Sequence, residues 1–217
     1  MIELDREDNV FVLRMREGEN RFSLDWLTDV NAALDRVEAT EGPVALVTTG
    51  DGKFYSNGMD LDWLATAPAR AGEYLQMIYR VLGRVLSLPA VTVAAVNGHA
   101  FGGGAQFAVA HDFVIMRADR GYWCMPEADL GLALTPEYMS LLRAKLTGQT
   151  LHEALITGRR YGGHDALAAG IVHQIASEDE VLPRAIKLAA ELAGKHRPTL
   201  AEHKRLLYSD AISALLG

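Results

Sequence analysis

Three consecutive glycines, Gly102 to Gly104, join an apolar strand directly to a helix, and this junction constrains the fold more than any other stretch. The preceding residues 90–98, AVTVAAVNG, are β-branched and do not alternate, which is typical of a strand covered on both faces. Residues 104–110 predict the helix. Glycines here allow a ligand to approach the backbone, and free N–H groups at a helix N-terminus can face an anion or a developing oxyanion. Tight packing of the helix on the strand explains the glycines alone equally well.

Two nucleotide-binding motifs fail at this junction. A phosphate-binding P-loop needs G-x-x-x-x-G-K-[ST], and no Lys, Ser or Thr follows these glycines. A dinucleotide fingerprint needs G-x-G-x-x-G, a spacing that Gly98 and the triple glycine do not give. The sequence therefore leaves packing and oxyanion binding as the open interpretations.

A second junction of the same kind lies at residues 50–64, GDGKFYSNGMDLDWL. It runs from an apolar strand through a small polar turn, Ser56-Asn57-Gly58, into a predicted helix. Two such loops can direct N–H groups at one carbonyl oxygen, and each donor aimed at an oxyanion contributes about 3 kcal/mol to lowering a barrier.

Composition limits the classes of function. The chain has 217 residues, of which 49% are apolar and 23% charged, which predicts one globular domain with a substantial core. A net charge of −7 argues against non-specific binding to nucleic acid or to an anionic membrane. The longest apolar run, residues 88–96, is too short for a membrane span. With Cys124 as the only cysteine and an acidic N-terminal stretch, we expect a cytoplasmic protein and an inert, packed thiol.

Hydrophobic periodicity predicts strands and helices in alternation, and hence the α/β class. Strands are expected at 2–5, 10–15, within 42–52, within 90–98, and at 113–117, 122–125 and 171–175. Helices are expected at 24–39, 70–86 and 104–110, within 162–170, and at about 178–194 and 199–216. Ser23 is the expected cap of the first of these helices. Two further helices are expected to begin at Pro136 and at a capping box formed by Thr150 and Glu153.

Four segments together resemble the crotonase, or enoyl-CoA hydratase/isomerase, superfamily over nearly the whole chain. They are FYSNGMDL at 54–61, AAVNGHAFGGGAQFAVAHD at 94–112, MPEADLGL at 125–132 and TGRRYGGHDALAAGIV at 157–172. The resemblance implies a crotonase-like spiral of ββα units with C-terminal helices. It implies a single domain over 1–217, with a spiral core to about 175 and a helical part from about 176.

The resemblance also implies an acyl-CoA thioester substrate and assembly as a homotrimer or a dimer of trimers. No metal is implied, and no separate cofactor, since coenzyme A is part of the substrate. Carried over by position, the thioester carbonyl lies in a hole formed by the N–H groups of Asn57 and Gly103. Further substrate contacts are carried over to these positions: Tyr55, Ser56, Met59, Asp60, Leu61, Gly102 and Gln106.

The acid/base residues distinguish reactions within the superfamily. Hydratases of the family commonly use two glutamates, and the corresponding positions here are Gln106 and Glu127. An amide can hold water but cannot exchange protons near pH 7, whereas one carboxylate suffices for a 1,3-proton transfer. The sequence therefore predicts a Δ3,Δ2-enoyl-CoA isomerase with Glu127 as its acid/base. A 2-enoyl-CoA hydratase with a weakened second site and an idle acyl-CoA-binding or scaffold protein are the alternatives.

Several other polar residues are candidates for the site. The family places no catalytic residue at His99 or His111, so both are expected to be packed or at the surface, and Asp129 is expected to form a turn. An exposed turn carboxylate is the alternative for Glu127. The basic candidates for the phosphates of CoA are Arg21, Lys53, Arg159, Arg160, Lys204 and Arg205, and the sequence does not choose among them.

Overall fold

The computed structural model describes residues 1–217, in which short strands alternate with helices. The strands are β1 (Ile2–Glu7), β2 (Val10–Met15), β3 (Arg21–Phe22), β4 (Ala45–Gly50), β5 (Phe54–Ser56), β6 (Gly58–Met59), β7 (Val91–Val96), β8 (His99–Phe101), β9 (Phe113–Arg117), β10 (Trp123–Cys124) and β11 (Gln174–Ala176). The helices are α1 (Leu24–Ala39), α2 (Leu61–Thr66), α3 (Ala71–Ser87), α4 (Gly103–Ala110), α5 (Glu127–Leu130), α6 (Pro136–Lys145), α7 (Gly148–Thr157), α8 (Gly163–Ala168), α9 (Glu178–Leu192), α10 (Arg197–Leu207) and α11 (Ser209–Leu216). None of these helices combines the length and apolar character that crossing a bilayer requires.

The strands form three sheets, and the chain passes between them in a repeating unit of two strands and a helix. The main sheet has the order β1-β2-β4-β7-β9-β11, in which β1 and β2 form an antiparallel hairpin and all later neighbours are parallel. A second parallel sheet has the order β10-β8-β5. The chain thus passes repeatedly from a main-sheet strand to a strand of the second sheet and then to a helix. This confirms the α/β class and the crotonase-like spiral of ββα units.

Strand β7 lies between two hydrophobic clusters and is buried at every residue. Val91, Val93 and Ala95 face a small cluster that packs on α9, whereas Ala94 and Val96 face the main core. Both faces are covered, so the strand shows no polar alternation. It ends in the loop that leads to β8 and the glycines of α4, which places the junction at the edge of the core.

Two predictions about the C-terminal part are wrong in detail. The capping box of Thr150 and Glu153 does not form, because Thr147 is the N-cap of α7 and its hydroxyl accepts from the Thr150 amide at 3.3 Å. The helix predicted at 199–216 is two helices, α10 and α11, which meet at Tyr208. The division of the chain near residue 175 stays a prediction.

The sequence offers Lys204 as a residue that could bind a phosphate of CoA, but in the structure Lys204 is buried and bonds to other parts of the fold. Lys204 is 3% exposed, and its Nζ donates to the carbonyl oxygens of Leu88 and Ala90 and to Asp112 Oδ2 at 2.7 Å. The same carboxylate oxygen accepts from the amide of Thr92. Lys204 therefore joins α10 to the end of α3 and the start of β7.

We expect Lys204→Met to lower the free energy of unfolding by about 3–5 kcal/mol, because it leaves the largely buried Asp112 carboxylate without its counter-ion. Chemical denaturation measures the loss. Arg205→Met is the matched control, since Arg205 forms an exposed pair with Glu202 that contributes about 0–1 kcal/mol. Equal losses in the two variants would contradict a structural role for Lys204.

Candidate active site

A cavity of about 520 Å³ lies where α2, α4, α5 and α6 converge. Its walls are mostly apolar and include the loop from Leu130 to Thr135. Its polar groups include Asn57 and Gly103 from the two predicted junctions and Glu127 from α5. The fold thus brings residues from three separate sequence segments to one cleft.

Glu127 is the first residue of α5 and points its carboxyl group into this cavity. Its Oε2 atom is buried without a hydrogen-bond partner in the protein. Burial raises the pKa of Glu127 to about 7, and a hydrogen bond from its own amide opposes the shift only in part. A carboxyl group with such a pKa is populated in both protonation states near neutral pH, as a group that takes and returns a proton must be. The alternative of an exposed turn carboxylate is wrong.

Gly102 places the Glu127 carboxyl beside the N-terminus of α4. A Cβ on Gly102 would lie 3.3 Å from Glu127 Oε1, and the backbone at Gly102 has φ +51°. Both the close approach and the left-handed conformation favour glycine. The carboxyl group therefore lies against the backbone that carries the first amides of the helix.

The amide of Gly103 precedes the hydrogen-bond pattern of α4. The first bond within that helix runs from the Gln106 amide to the Gly102 carbonyl oxygen at 3.0 Å, so the amide of Gly103 has no acceptor in the helix. A Cβ on Gly58 would lie 2.6 Å from the Gly103 nitrogen. The two glycine-containing junctions therefore touch here, as the convergence of two loops on one ligand atom requires.

Asn57 lines the cavity, but the structure does not fit its predicted use as an oxyanion donor. Its amide already donates to the Glu19 carbonyl oxygen at 2.8 Å, and its side-chain Nδ2 donates to Glu19 Oε2 at 3.3 Å. The amide therefore ties the turn to the segment before β3 instead of facing a ligand.

The remaining predicted substrate contacts separate into two groups. Met59, Leu61, Gly102 and Gln106 line the cavity. Tyr55, Ser56 and Asp60 do not, and their predicted role as substrate contacts is not supported.

These three residues instead hold the turn in shape. Tyr55 is fully buried and its hydroxyl bonds to Thr48 Oγ1 at 2.7 Å. Ser56 Oγ donates to the Asn20 carbonyl oxygen at 2.7 Å, and Asp60 caps α2 by accepting from the Trp63 amide. Short polar side chains in a turn commonly bond to nearby backbone in this way.

Gln106 lies one helical turn after Gly103 and is 1% exposed. Its Oε1 atom is buried and has no hydrogen-bond partner in the protein. At this position of the cavity the structure thus places a neutral amide where a second catalytic glutamate would stand.

Tyr138 also lines the cavity, and the sequence did not single it out. It is 3% exposed, its hydroxyl has no partner in the protein, and its ring packs edge-on against Tyr79 with centroids 4.9 Å apart. Its spacing to Leu141 and Leu142 on α6 resembles that of an ordinary core residue. The proximity of its helix to the loop after Glu127 was the signal that could have marked it.

The other candidate side chains are packed within the protein. His111 bonds to Thr48 and to the Phe107 carbonyl oxygen, and burial lowers its pKa to about 4. His99 is half-buried among aromatic rings, including Tyr122. The Cys124 thiol is buried, which raises its pKa to about 11. These environments fit packed side chains better than catalytic ones.

Arg21 is the basic candidate that lines the cavity. It lies between two carboxylates, 2.6 Å from Glu19 and 2.5 Å from Asp62. Lys53, Arg159 and Arg160 lie outside the cavity lining.

Comparison with known proteins decides the family. The family model described as enoyl-CoA hydratase/isomerase matches residues 5–215. The chain belongs to this family. The matched residues include both glycine junctions and α5.

Named relatives come from plants and bacteria. Enoyl-CoA delta isomerase 2, peroxisomal, of Arabidopsis thaliana is 36% identical over 90% of this chain and 86% of its own length. Enoyl-CoA delta isomerase 3 of the same plant is 38% identical, again over 90% of this chain and 86% of its own length. The apo structure of an enoyl-CoA isomerase of Mycobacterium tuberculosis superimposes with a TM-score of 0.91 at 29% identity, covering 99% of this chain and 93% of that one.

Proposed function

We propose that this protein shifts the double bond of a 3-enoyl-CoA to the 2-position. The observation that carries the proposal is one buried carboxyl group, Glu127 with a pKa of about 7, in a cavity where Gln106 supplies an amide and not a second acid. Relatives of similar length named enoyl-CoA delta isomerase support it.

The reaction needs one base and one site for negative charge. The Glu127 carboxylate removes a proton from C2, which the thioester makes acidic, and the electrons move to the C1 carbonyl oxygen to give a dienolate. The Gly103 amide stabilises that oxygen, at about 3 kcal/mol for a well-placed donor. The protonated carboxyl group then delivers the same proton to C4, and the double bond forms between C2 and C3.

We propose the amide of Met59 as the second donor to the oxyanion. Met59 lines the cavity and follows Gly58, which touches Gly103. The amides on either side of Met59 are already used, since that of Gly58 donates to Ser56 Oγ at 3.1 Å and that of Asp60 to the Tyr74 hydroxyl at 2.8 Å.

The hydratase and the scaffold remain the alternatives. Hydration of a 2-enoyl-CoA benefits from two carboxyl groups, and Gln106 cannot take part in proton exchange near pH 7. A scaffold has no need of a buried carboxyl group whose pKa is raised towards neutrality, since desolvating its charged form destabilises the fold. Trimeric or hexameric assembly, a cytoplasmic location and independence of any further cofactor stay predictions.

The two substrates test the proposal directly. Purified protein is given a 3-enoyl-CoA or a 2-enoyl-CoA, and absorbance follows the conjugated enoyl thioester. We expect conjugation of the first substrate to be much faster than loss of the second. Comparable rates would favour a hydratase, and acyl-CoA binding without turnover would favour a scaffold.

We expect the isomerisation rate to rise with pH through about 7, because only the carboxylate form of Glu127 can remove the C2 proton. Below that value kcat/KM should fall by about tenfold per pH unit, and above it the rate should level off. A pH–rate profile measured between pH 5 and pH 9 checks this, and a flat profile through neutrality would contradict Glu127 as the base.

A further inference from the structure

A second cavity, of about 150 Å³, lies at the C-terminal end of α4 and shares no lining residue with the cavity that holds Glu127. Gly170 and His173 line it and are exposed, so the cavity is open to solvent. It gathers titratable side chains that the proposed reaction does not use, namely Asp112, Lys145, His173 and Tyr208.

The amine of Lys145, the last residue of α6, is held by neutral acceptors. Its Nζ donates to the carbonyl oxygen of His111, the C-cap of α4, at 2.8 Å and to the Tyr208 hydroxyl at 3.4 Å. The nearby carboxylate of Asp112 is already paired with Lys204 at 2.7 Å. Lys145 is thus half-buried and has no counter-ion of its own.

These surroundings favour the neutral form of the amine. Burial is the main cause of a Lys145 pKa lowered to about 8, an effect that the charge of Asp112 opposes and that of Lys204 reinforces. At pH 8 about half of this amine is neutral, whereas an ordinary exposed lysine with a pKa of about 10.4 is less than about 1% neutral. A neutral, desolvated lysine amine is an activated nucleophile.

The remaining titratable neighbours leave this balance unchanged near neutral pH. Burial lowers the pKa of His111 and of His173, and it raises the pKa of the Tyr208 phenol, so all three groups are neutral there. His173 Nδ1 accepts from the Val114 amide at 3.0 Å, which further ties this ring to the fold.

The cavity suits a neutral group better than an anion. The carbonyl end of α4 and the carboxylate of Asp112 both direct negative charge towards it. Apolar side chains complete the wall beside the amine, and these are Val109, Val114 and Ile171. A short acyl group can therefore lie against this wall once it is joined to Nζ.

We propose that Lys145 is a modification site, acylated at Nζ by short-chain acyl-CoA thioesters. The amine nitrogen attacks the thioester carbonyl carbon, a C–N bond forms and the C–S bond breaks. The proton that the nitrogen loses goes to the departing thiolate, which gives free CoA. The amide product is uncharged, so the step removes the positive charge held against the C-terminal end of α4, the helix that begins at Gly103. The inference takes its acyl donor from the proposed function but makes no use of Glu127.

Acetylation rates at the individual lysines test this inference. Folded protein is incubated with acetyl-CoA at pH 8, and mass spectrometry of its peptides follows the acetylated fraction of each lysine. Lys145 should react about fivefold or more faster than the exposed Lys53, Lys187 and Lys195, because its larger neutral fraction outweighs its lower basicity. In protein unfolded by guanidinium chloride this preference should disappear. A Lys145 that reacts no faster than the exposed lysines in the folded protein overturns the inference.

The pH dependence supplies a readout that exposure alone would not produce. Between pH 6.5 and pH 9.5 the acetylation rate at Lys145 should level off above about pH 8, whereas the rate for Nα-acetyllysine free in solution should keep rising. Parallel profiles would overturn the inference.

One variant and one longer donor test the part that the cavity plays. Ala144→Leu narrows the cavity and should lower the ratio of the acetylation rates at Lys145 and Lys187. Ala32→Leu is the matched control, because Ala32 is an exposed alanine of α1 outside the cavity, and the ratio should stay at the parent value. Decanoyl-CoA should give a lower ratio than acetyl-CoA, since its chain is too long for this cavity. A ratio that neither Ala144→Leu nor decanoyl-CoA lowers overturns the inference.

The outcomes separate this inference from the proposed function. Selective acetylation of Lys145 in a protein that does not isomerise 3-enoyl-CoA would keep the modification site and remove the proposed function. Isomerisation by a protein whose Lys145 shows no selective acetylation would do the reverse.

Discussion

Glu127→Gln is expected to slow isomerisation of a 3-enoyl-CoA by about 10²- to 10⁴-fold, the contribution typical of a positioned general acid/base. The amide keeps the size and shape of the side chain in the cavity but can neither take the C2 proton nor return it to C4. Formation of the conjugated thioester, followed by absorbance at saturating substrate, gives kcat for the parent and the variant.

Asp129→Asn is the matched control for this variant. Asp129 lies two residues further on the same short helix, and it is exposed beside Gly158 instead of lining the cavity. The same chemical change there should leave kcat within about twofold of the parent, as an exposed carboxylate away from the reacting atoms contributes little. If Glu127→Gln retained parent activity, Glu127 would have no place in the proton transfer.

Glu127→Gln is also expected to change the stability of the fold, and this effect is a gain relative to the parent. Burial raises the pKa of Glu127 from 4.5 to about 7, so the folded protein holds this proton more tightly than the unfolded chain. The associated stabilisation is complete below pH 4.5 and is lost as pH rises through about 7. Relative to the parent, Glu127→Gln should therefore gain about 3 kcal/mol in unfolding free energy between pH 4 and pH 8. Denaturation at both pH values shows whether Glu127→Gln is folded, so that a loss of activity can be assigned to the missing carboxyl group.

Local patterns predicted the longer elements of this fold because their signals are contained in their own residues. The missing alternation in β7 and the cap at Ser23 are examples, and Ser23 Oγ does accept from the Trp26 amide. The two- and three-residue strands β3, β5, β6 and β8 escaped prediction because only pairing with distant residues makes them strands. The break at Tyr208 has no glycine or proline to mark it.

The site was predictable where a motif fixes a residue, and less so where contacts decide which atom of that residue is free. Glu127 and Gly103 lie in the cavity as the resemblance implied. Asn57 lies there too, yet its amide is taken by Glu19, a partner 38 residues earlier in the chain. Tyr138 was missed because a buried tyrosine on an apolar helix face has the same sequence pattern whether or not its hydroxyl meets a cavity.

Gly58→Ala is expected to lower kcat by about 10²- to 10³-fold, the loss typical of removing one oxyanion donor. A Cβ at this position would lie 2.6 Å from the Gly103 nitrogen and 2.9 Å from the Phe101 carbonyl oxygen, so the N-terminus of α4 must move away from the reacting carbonyl. Backbone atoms cannot rotate aside as a flexible side chain can. The rate of 3-enoyl-CoA conversion at saturating substrate measures the loss.

Gly52→Ala separates this steric effect from backbone strain. Gly52 has φ +70° and Gly58 φ +75°, so alanine is strained to a similar degree at both, by about 1–2 kcal/mol. A Cβ on Gly52 meets no atom within 4 Å, so that variant should lose some stability but keep the kcat of the parent. Because far-UV circular dichroism and denaturation report folding separately, a folded Gly58→Ala protein with undiminished kcat would show that the Gly103 amide does not stabilise the transition state. A shared fall in kcat in both variants would assign the loss to turn strain, and only a loss confined to Gly58→Ala supports an oxyanion hole between the two glycine junctions.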